Sequence, residues 1–171
     1  GAPADWANSF VIQSGHTMSM SATWGDGSSS MDLTINSGGS LNLNGRTLSS
    51  VLNSLTVSGT GNAAIGAIYN GSTTTATIEE SITLGANTTF ITSSGYITIS
   101  GGLETAGFTF TFDGSNDYIV SGIISGTGSI IQTCTSNVAL SGTNTYSGLT
   151  TINATAAGAM TISNASALGA S

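Results

Sequence analysis

Phe108, Phe110 and Phe112 occupy every second position of GFTFTFDG, and the segment closes on Asp-Gly. The same plan recurs in MDLTINSG, SLNLNG, SLTVSG, ATIEESITLG, GYITISGG, NVALSG and AMTISN. A period of two sends successive side chains to opposite faces of a strand. Leu33 with Ile35, Leu41 with Leu43, and Leu55 with Val57 mark an apolar face, and Thr, Ser and Asn mark the other. Most runs end in Ser-Gly, Asn-Gly or Asp-Gly, where glycine permits a sharp turn at positive φ. No segment carries a helical period. AGAMTISNASALGA is Ala-rich, but Thr, Ile, Ser and Asn interrupt it.

The strands recur roughly every 10 to 15 residues, a spacing that fits a sandwich or a solenoid with coils of about 20 to 30 residues. Two features favour the solenoid. Outward positions are Thr, Ser and Asn, which can stack in ladders on successive coils and satisfy one another's hydrogen bonds. Similar strand-turn units also follow one another with gaps of uneven length, without the paired strands and tight loops of sandwich hairpins. The expectation is an all-β parallel β-helix forming a single domain over residues 1–171, with 1–30 as a candidate terminal cap or exchange segment. A chain of 171 residues is long enough to bury a core.

Charged residues make up 5% of the chain, where about a quarter is usual. Low charge and 24 Gly do not here mean disorder, because disordered chains are rich in charge and Pro, and this one has one Pro with Ile, Val and Thr throughout. Arg46 is the sole cation against eight acids, giving a net charge of −7. A basic patch cannot be assembled from one Arg, which argues against nucleic acid and anionic membrane surfaces as partners. No run approaches the roughly 18 apolar residues of a membrane span, so membrane insertion is not expected. GAPADWANSF lacks the basic and apolar regions of a signal peptide, so a secreted form would be the mature one.

The side chains that carry chemistry are few. Cys134 is alone, which rules out an intrachain disulfide, and it is expected to be a small buried apolar residue. Apart from Asp26 and Asp32, separated by a Ser-rich turn, only Glu79–Glu80 and Asp113–Asp117 are acids close in sequence. Glycosidic hydrolysis needs two carboxylates at a defined separation, whereas neighbours on a strand point to opposite faces. Solvated turn positions are therefore expected for Glu79 and Glu80. DGSND, residues 113–117, has the donors for Ca²⁺ but neither the length nor the closing Glu of an EF-hand loop; an Asp-Gly turn is the simpler reading. His16 has no second His or Cys nearby to share a metal. Trp6, Trp24, Tyr69, Tyr96, Tyr118 and Tyr146 are scattered, which suits packing better than a sugar platform. Asn70, Asn87, Asn153 and Asn164 each begin an Asn-x-Ser/Thr sequon, available in principle for glycosylation. No catalytic residue, metal ligand or cofactor site is assigned.

SGTNTYSGLTTINATAAGAMTISNASALG, residues 141–169, contains no charged side chain and resembles the passenger-associated transport repeat of autotransporter passenger domains. Leu140, Gly142, Asn144, Tyr146, Gly148, Thr151, Ile152, Asn153, Ala154, Leu168 and Gly169 match that pattern, and TAAGAM at 155–160 departs from a shorter Gly-Thr-Leu. Residues 41–70 and 82–102 are similar to the region that precedes such repeats. The resemblance implies a right-handed parallel β-helix that is secreted and surface-associated, with 138–171 as repeat-like C-terminal coils. Family members typically continue into a membrane barrel, so a fragment or a free-standing relative is expected. Neither terminus shows a charged cap of the kind that closes natural solenoids. The functional expectation is a non-enzymatic extracellular filament subunit joined head-to-tail to copies of itself, with a terminal segment completing a neighbour's sheet. The alternative is an adhesin or glycan-binding passenger fragment that recognises surface glycans.

Overall fold

The structure is a computed structural model that describes residues 8–24, 31–49, 52–153 and 158–169. Nearly all strands are short and parallel, and they stack as a β-solenoid of about six turns. Each coil contributes to three stacks. The first holds Asn8–Ile12, Met31–Ile35, Leu52–Gly59, the start of Ile82–Thr92, Leu103–Glu104 and Ile124–Ser125. The second holds Thr17–Ser19, Ser40–Asn42, Ile68–Asn70, the end of Ile82–Thr92, Phe110–Gly114, Ile130–Gln132 and Thr150–Ile152. The third holds Thr47–Leu48, Ala76–Ile78, Ile97–Ile99, Tyr118–Val120, Val138–Leu140 and Met160–Ile162, with Trp24 bridged to Leu48. Ile82–Thr92 runs through a corner, which fuses the first two stacks into one twelve-stranded sheet; the third is a six-stranded sheet. Of the expected terminal segment 1–30, residues 8–24 supply the first coil, and 1–7 and 25–30 lie outside the described residues.

Register explains the uneven gaps. Partners on adjacent coils are 20 residues apart at Tyr118 and Val138 and 23 apart at Phe10 and Leu33, but 27 apart at Leu55 and Ile82. The extra length is the loop 60–67, which contains the short 3-10 turn Asn62–Ala64. Its contacts are specific. Asn62 N–H donates to Ser40 Oγ (2.7 Å), and Ser40 Oγ donates to the Gly66 carbonyl (2.8 Å). Asn62 Nδ2 reaches past the second coil to donate to the Gly15 carbonyl (3.2 Å) and Thr17 Oγ1 (3.3 Å) of the first.

Alternation turns one side of every strand inward, and in parallel register equivalent residues meet in columns. Leu33, Leu55, Ile82, Leu103 and Ile124 form one such buried column. Phe90, Phe110, Phe112 and Tyr118 form a chain of edge-to-face contacts with centroids 4.8, 4.7 and 4.9 Å apart. Each such pair adds about 0.5–1.5 kcal/mol beyond its burial. Outside, Thr34, Thr56 and Thr83 stack in register, as do Thr47, Thr77 and Thr98. These ladders differ from the expectation in one respect. Where outward hydroxyls bond between coils, they mostly donate to main-chain carbonyls, as Ser136 does to Ser115 (2.8 Å) and Thr133 to Phe112 (3.2 Å). A carbonyl has a second lone pair free after pairing with its strand neighbour, so it is the nearest acceptor.

The Ser-Gly endings also differ in their reason. Gly15, Gly38, Gly45 and Gly107 do adopt positive φ, but Gly101, Gly122 and Gly142 do not. These three sit above one another where the third stack turns into the first, and a Cβ on each would overlap a carbonyl of the coil before: Glu80, Gly101 and Gly122 in turn. Close backbone approach, not turn handedness, selects glycine there. Gly102 is next in sequence yet has only Ser81 Oγ at 3.6 Å and the Ile123 carbonyl at 3.8 Å near its Cβ position. Gly101→Ala should therefore destabilise the protein by about 1–3 kcal/mol in urea denaturation, while Gly102→Ala leaves the midpoint unchanged or slightly raised. Equal losses at both positions would refute the stacking argument.

Candidate assembly interface

The polar residues singled out from sequence mostly serve the stack. Glu80 is the clearest correction: only 6% exposed, it is not a solvated turn residue. Its Oε2 accepts the Leu52 N–H (2.9 Å) and its Oε1 the Ser81 N–H (3.1 Å), while Glu79 is exposed as expected. Asp117 Oδ1 accepts the Asn137 N–H (2.9 Å) from the next coil, and Asp113 Oδ1 accepts the Gly114 N–H (2.7 Å) within its own turn. Glu104 takes the Ala106 N–H (2.9 Å) and the Ser125 hydroxyl (2.7 Å), and Asp32 takes the Ser54 hydroxyl (2.6 Å). Among the described residues no three His, Cys, Asp or Glu side chains gather as a metal site. His16 and Arg46 are exposed on turns, with His16 Nδ1 at 3.1 Å from the Ser14 carbonyl. Asp5, Trp6 and Asp26 lie outside the described residues.

Cys134 is fully buried, as expected, and its thiol donates to the Ser136 carbonyl (3.2 Å). Tyr118 and Tyr146 are also core residues. Tyr118 OH donates to the Asp113 carbonyl (2.8 Å), and Tyr146 OH shares a 2.6 Å hydrogen bond with Thr150 Oγ1. Trp24 and Tyr69 are half-buried and Tyr96 is exposed. Burial, with the neighbouring Cys134 adding to it, holds the Tyr118 phenol well above its ordinary value, and burial pushes the Cys134 thiol up as well.

The sequons divide. Asn70 is completely buried: its Oδ1 accepts from Gly45 (3.0 Å) and Ser72 (3.2 Å), and its Nδ2 donates to Thr74 (2.8 Å) and Tyr96 (2.9 Å). A glycan cannot be accommodated there in the folded chain. Asn164 Nδ2 is engaged by the Ser141 (2.6 Å) and Gly142 (3.0 Å) carbonyls. Asn87 and Asn153 are exposed, and residues 154–155 of the latter's sequon lie outside the described residues.

The repeat-like residues have structural duties too. Buried Asn144 donates to the Ala167 carbonyl (2.7 Å) and accepts the Ile124 N–H (2.8 Å), bridging the coils on either side of it. Gly148 lies too close to the Gly128 carbonyl to carry a Cβ, and Gly169 has φ of 77° against Tyr146. Ile152 and Leu168 differ, because both are exposed rather than covered by a further coil.

The ends are where the regular pattern stops. One inward column runs Met18, Leu41, Ile68, Phe90, Phe112, Gln132, Ile152. Another runs Trp24, Leu48, Ile78, Ile99, Val120, Leu140, Ile162. Interior members are buried, but Ile152 is 53% and Ile162 50% exposed. At the opposite end Phe10 is 43% exposed beside a hollow of about 320 Å³ lined by Phe10, Val11, Ile12, Gln13, His16, Thr17 and Met18. Among the described residues, Thr17–Ser19, Thr150–Ile152 and Met160–Ile162 each pair with a strand on one side only. These strands are the outer edges of the described stack. Residues 138–171 hold no charged side chain and residues 1–24 hold Asp5; which apolar residues end a column does not show in the sequence, because that depends on register.

No protein-family model matches the chain, and no curated protein or solved structure similar to it is found. No helix among the described residues is long and apolar enough to cross a membrane.

Two outcomes follow from these contacts. Asn70→Ala should cost at least about 2 kcal/mol in denaturant unfolding, since it removes the partner of part-buried backbone groups on three successive coils; a loss under about 0.5 kcal/mol would contradict the bridging role. The folded chain keeps protons on Tyr118 and Cys134 that the unfolded chain releases, so stability is intact at neutral pH and falls as pH rises beyond the ordinary thiol and phenol range. Urea midpoints should hold from about pH 6 to 8 and drop above about pH 9, with Tyr118→Phe showing a shallower drop.

Proposed function

We propose that this chain is a non-enzymatic structural protein of the cell exterior, a β-solenoid filament subunit joined end to end to copies of itself. The observation that carries the reading is the half-exposure of Ile152 and Ile162 at the ends of columns whose interior members are buried. Covering two half-exposed isoleucines is worth roughly 1 kcal/mol each, and pairing the open strand edges adds main-chain hydrogen bonds. The placement of the carboxylates supports the same view, since Asp32, Glu80, Glu104, Asp113 and Asp117 are each occupied as hydrogen-bond acceptors. The repeat-like residues 140–169 suit an exported passenger in which coils are the building material, although fold alone does not fix a function. A surface nearly free of Lys and Arg also gives trypsin a single site, after Arg46, an advantage for an exposed fibre.

Negative-stain electron microscopy of the purified chain at rising concentration tests the reading. Filaments one solenoid wide are expected, and Ile152→Asp with Ile162→Asp should raise the concentration needed for assembly at least tenfold while leaving the β-sheet circular dichroism unchanged. Monodisperse particles at every concentration would overturn it.

A further inference from the structure

Asn-Gly occurs twice in the chain, at Asn44–Gly45 and Asn70–Gly71. Such a link is chemically weak, because glycine has no side chain to obstruct its own main-chain nitrogen. That nitrogen can lose its proton to water and attack the Asn side-chain carbonyl carbon. A new N–C bond forms, the bond to Nδ2 breaks, and ammonia leaves a succinimide. Water then opens the ring to aspartate or to isoaspartate, in which the main chain runs through the former side chain. Neither link is easily replaced in this fold. Asn44 has φ of 51°, a region that Asn tolerates better than most residues. Gly45 has φ of 68°, and a Cβ on it would lie 2.8 Å from both Ser72 Oγ and Thr74 Cβ. Asn70 is buried, and a Cβ on Gly71 would stand 3.1 Å from Asn42 Nδ2.

We propose that Asn42 and Asn70 form a reciprocal guard against deamidation, each occupying the glycine N–H of the other coil's Asn-Gly link. Asn70 Oδ1 accepts the Gly45 N–H (3.0 Å), and Asn42 Oδ1 accepts the Gly71 N–H (3.0 Å). The two side chains meet because their coils are adjacent, with Asn42 paired to Tyr69. The carbons under attack are held as well. Asn44 Nδ2 donates to the Met20 carbonyl (3.1 Å), and Asn70 Nδ2 to the Thr74 (2.8 Å) and Tyr96 (2.9 Å) carbonyls. Burial is not the protection, since Asn44 and Gly71 are exposed and water reaches the turn. The guard is also coupled. Isoaspartate at 70 lengthens the main chain by one carbon and draws the side-chain oxygen away from Gly45, which opens Asn44–Gly45 in turn. The inference is independent of how copies assemble.

Peptide mass spectrometry of the purified chain, stored at mildly alkaline pH, reads each site by a gain of about 1 Da. In the folded wild type both links should deamidate at least about tenfold more slowly than in concentrated urea, and the Gly45 and Gly71 amides should exchange with deuterium at least about tenfold more slowly than in unstructured peptides. Asn42→Ala should speed deamidation of Asn70 at least about threefold, with Asn44 following it. Asn42→Asp keeps an oxygen acceptor for Gly71 and should stay near the wild-type rate. Asn36–Ser37 shares no hydrogen bond with Asn42, so an unchanged rate there, with unchanged circular dichroism, shows that the variants remain folded. Equal rates at Asn70 in the wild type and folded Asn42→Ala, or equal acceleration by Asn42→Ala and Asn42→Asp, would overturn the guard. Should Asn42→Ala fail to fold, the wild-type exchange decides: Gly45 and Gly71 amides exchanging at unstructured rates would overturn it.

Discussion

The hydrogen bond between the backbone of one coil and the next is the interaction on which the rest of this molecule depends. Among the described residues no strand outside Ile82–Thr92 and Leu52–Gly59 is longer than five residues, and such segments are not stable alone. Each is held because its N–H and C=O groups meet the coils before and after it in parallel register. Once that spacing is set, side chains at equivalent positions must coexist at the strand separation, about 4.8 Å. Apolar residues then form continuous columns, threonines form ladders, and corners at which two backbones come closest admit only glycine.

The same constraint explains the use of polar groups. A corner breaks the ladder, leaving main-chain amides without a strand partner, and a buried amide without a partner is costly. Asn70, Asn144, Glu80 and Asp117 fill those gaps with side-chain oxygens. Residues that in another setting would suggest acid-base chemistry or a ligand site are here occupied with keeping coils together. Solubility falls to hydroxyls, exposed amides and a modest negative charge, which is how a chain with few charged residues can present a folded surface to water.

Interior coils have neighbours on both sides; the outermost described coils do not. Ile152 and Ile162 are ordinary core residues by column and half-exposed by position. The proposed function follows from that mismatch.

The sequence by itself determined the strands, their inward faces and the solenoid plan, because period-two alternation and glycine punctuation are local properties. Leu33, Leu55, Phe110 and Phe112 were legible as core on that ground alone, and burial of Cys134 from its character as a lone, small apolar residue. Only the tertiary structure decided which residues share a column, and hence that Ile152 and Ile162 end one. It also decided that Glu80 is buried, that Asn70 is closed to modification, and that Gly101 answers to a carbonyl of the preceding coil rather than to a turn. The physical reason is the same in each case: these facts depend on which residue lies one coil away. The loop at 60–67 lengthens one coil, and which residues become partners across it is set only when the coils pack.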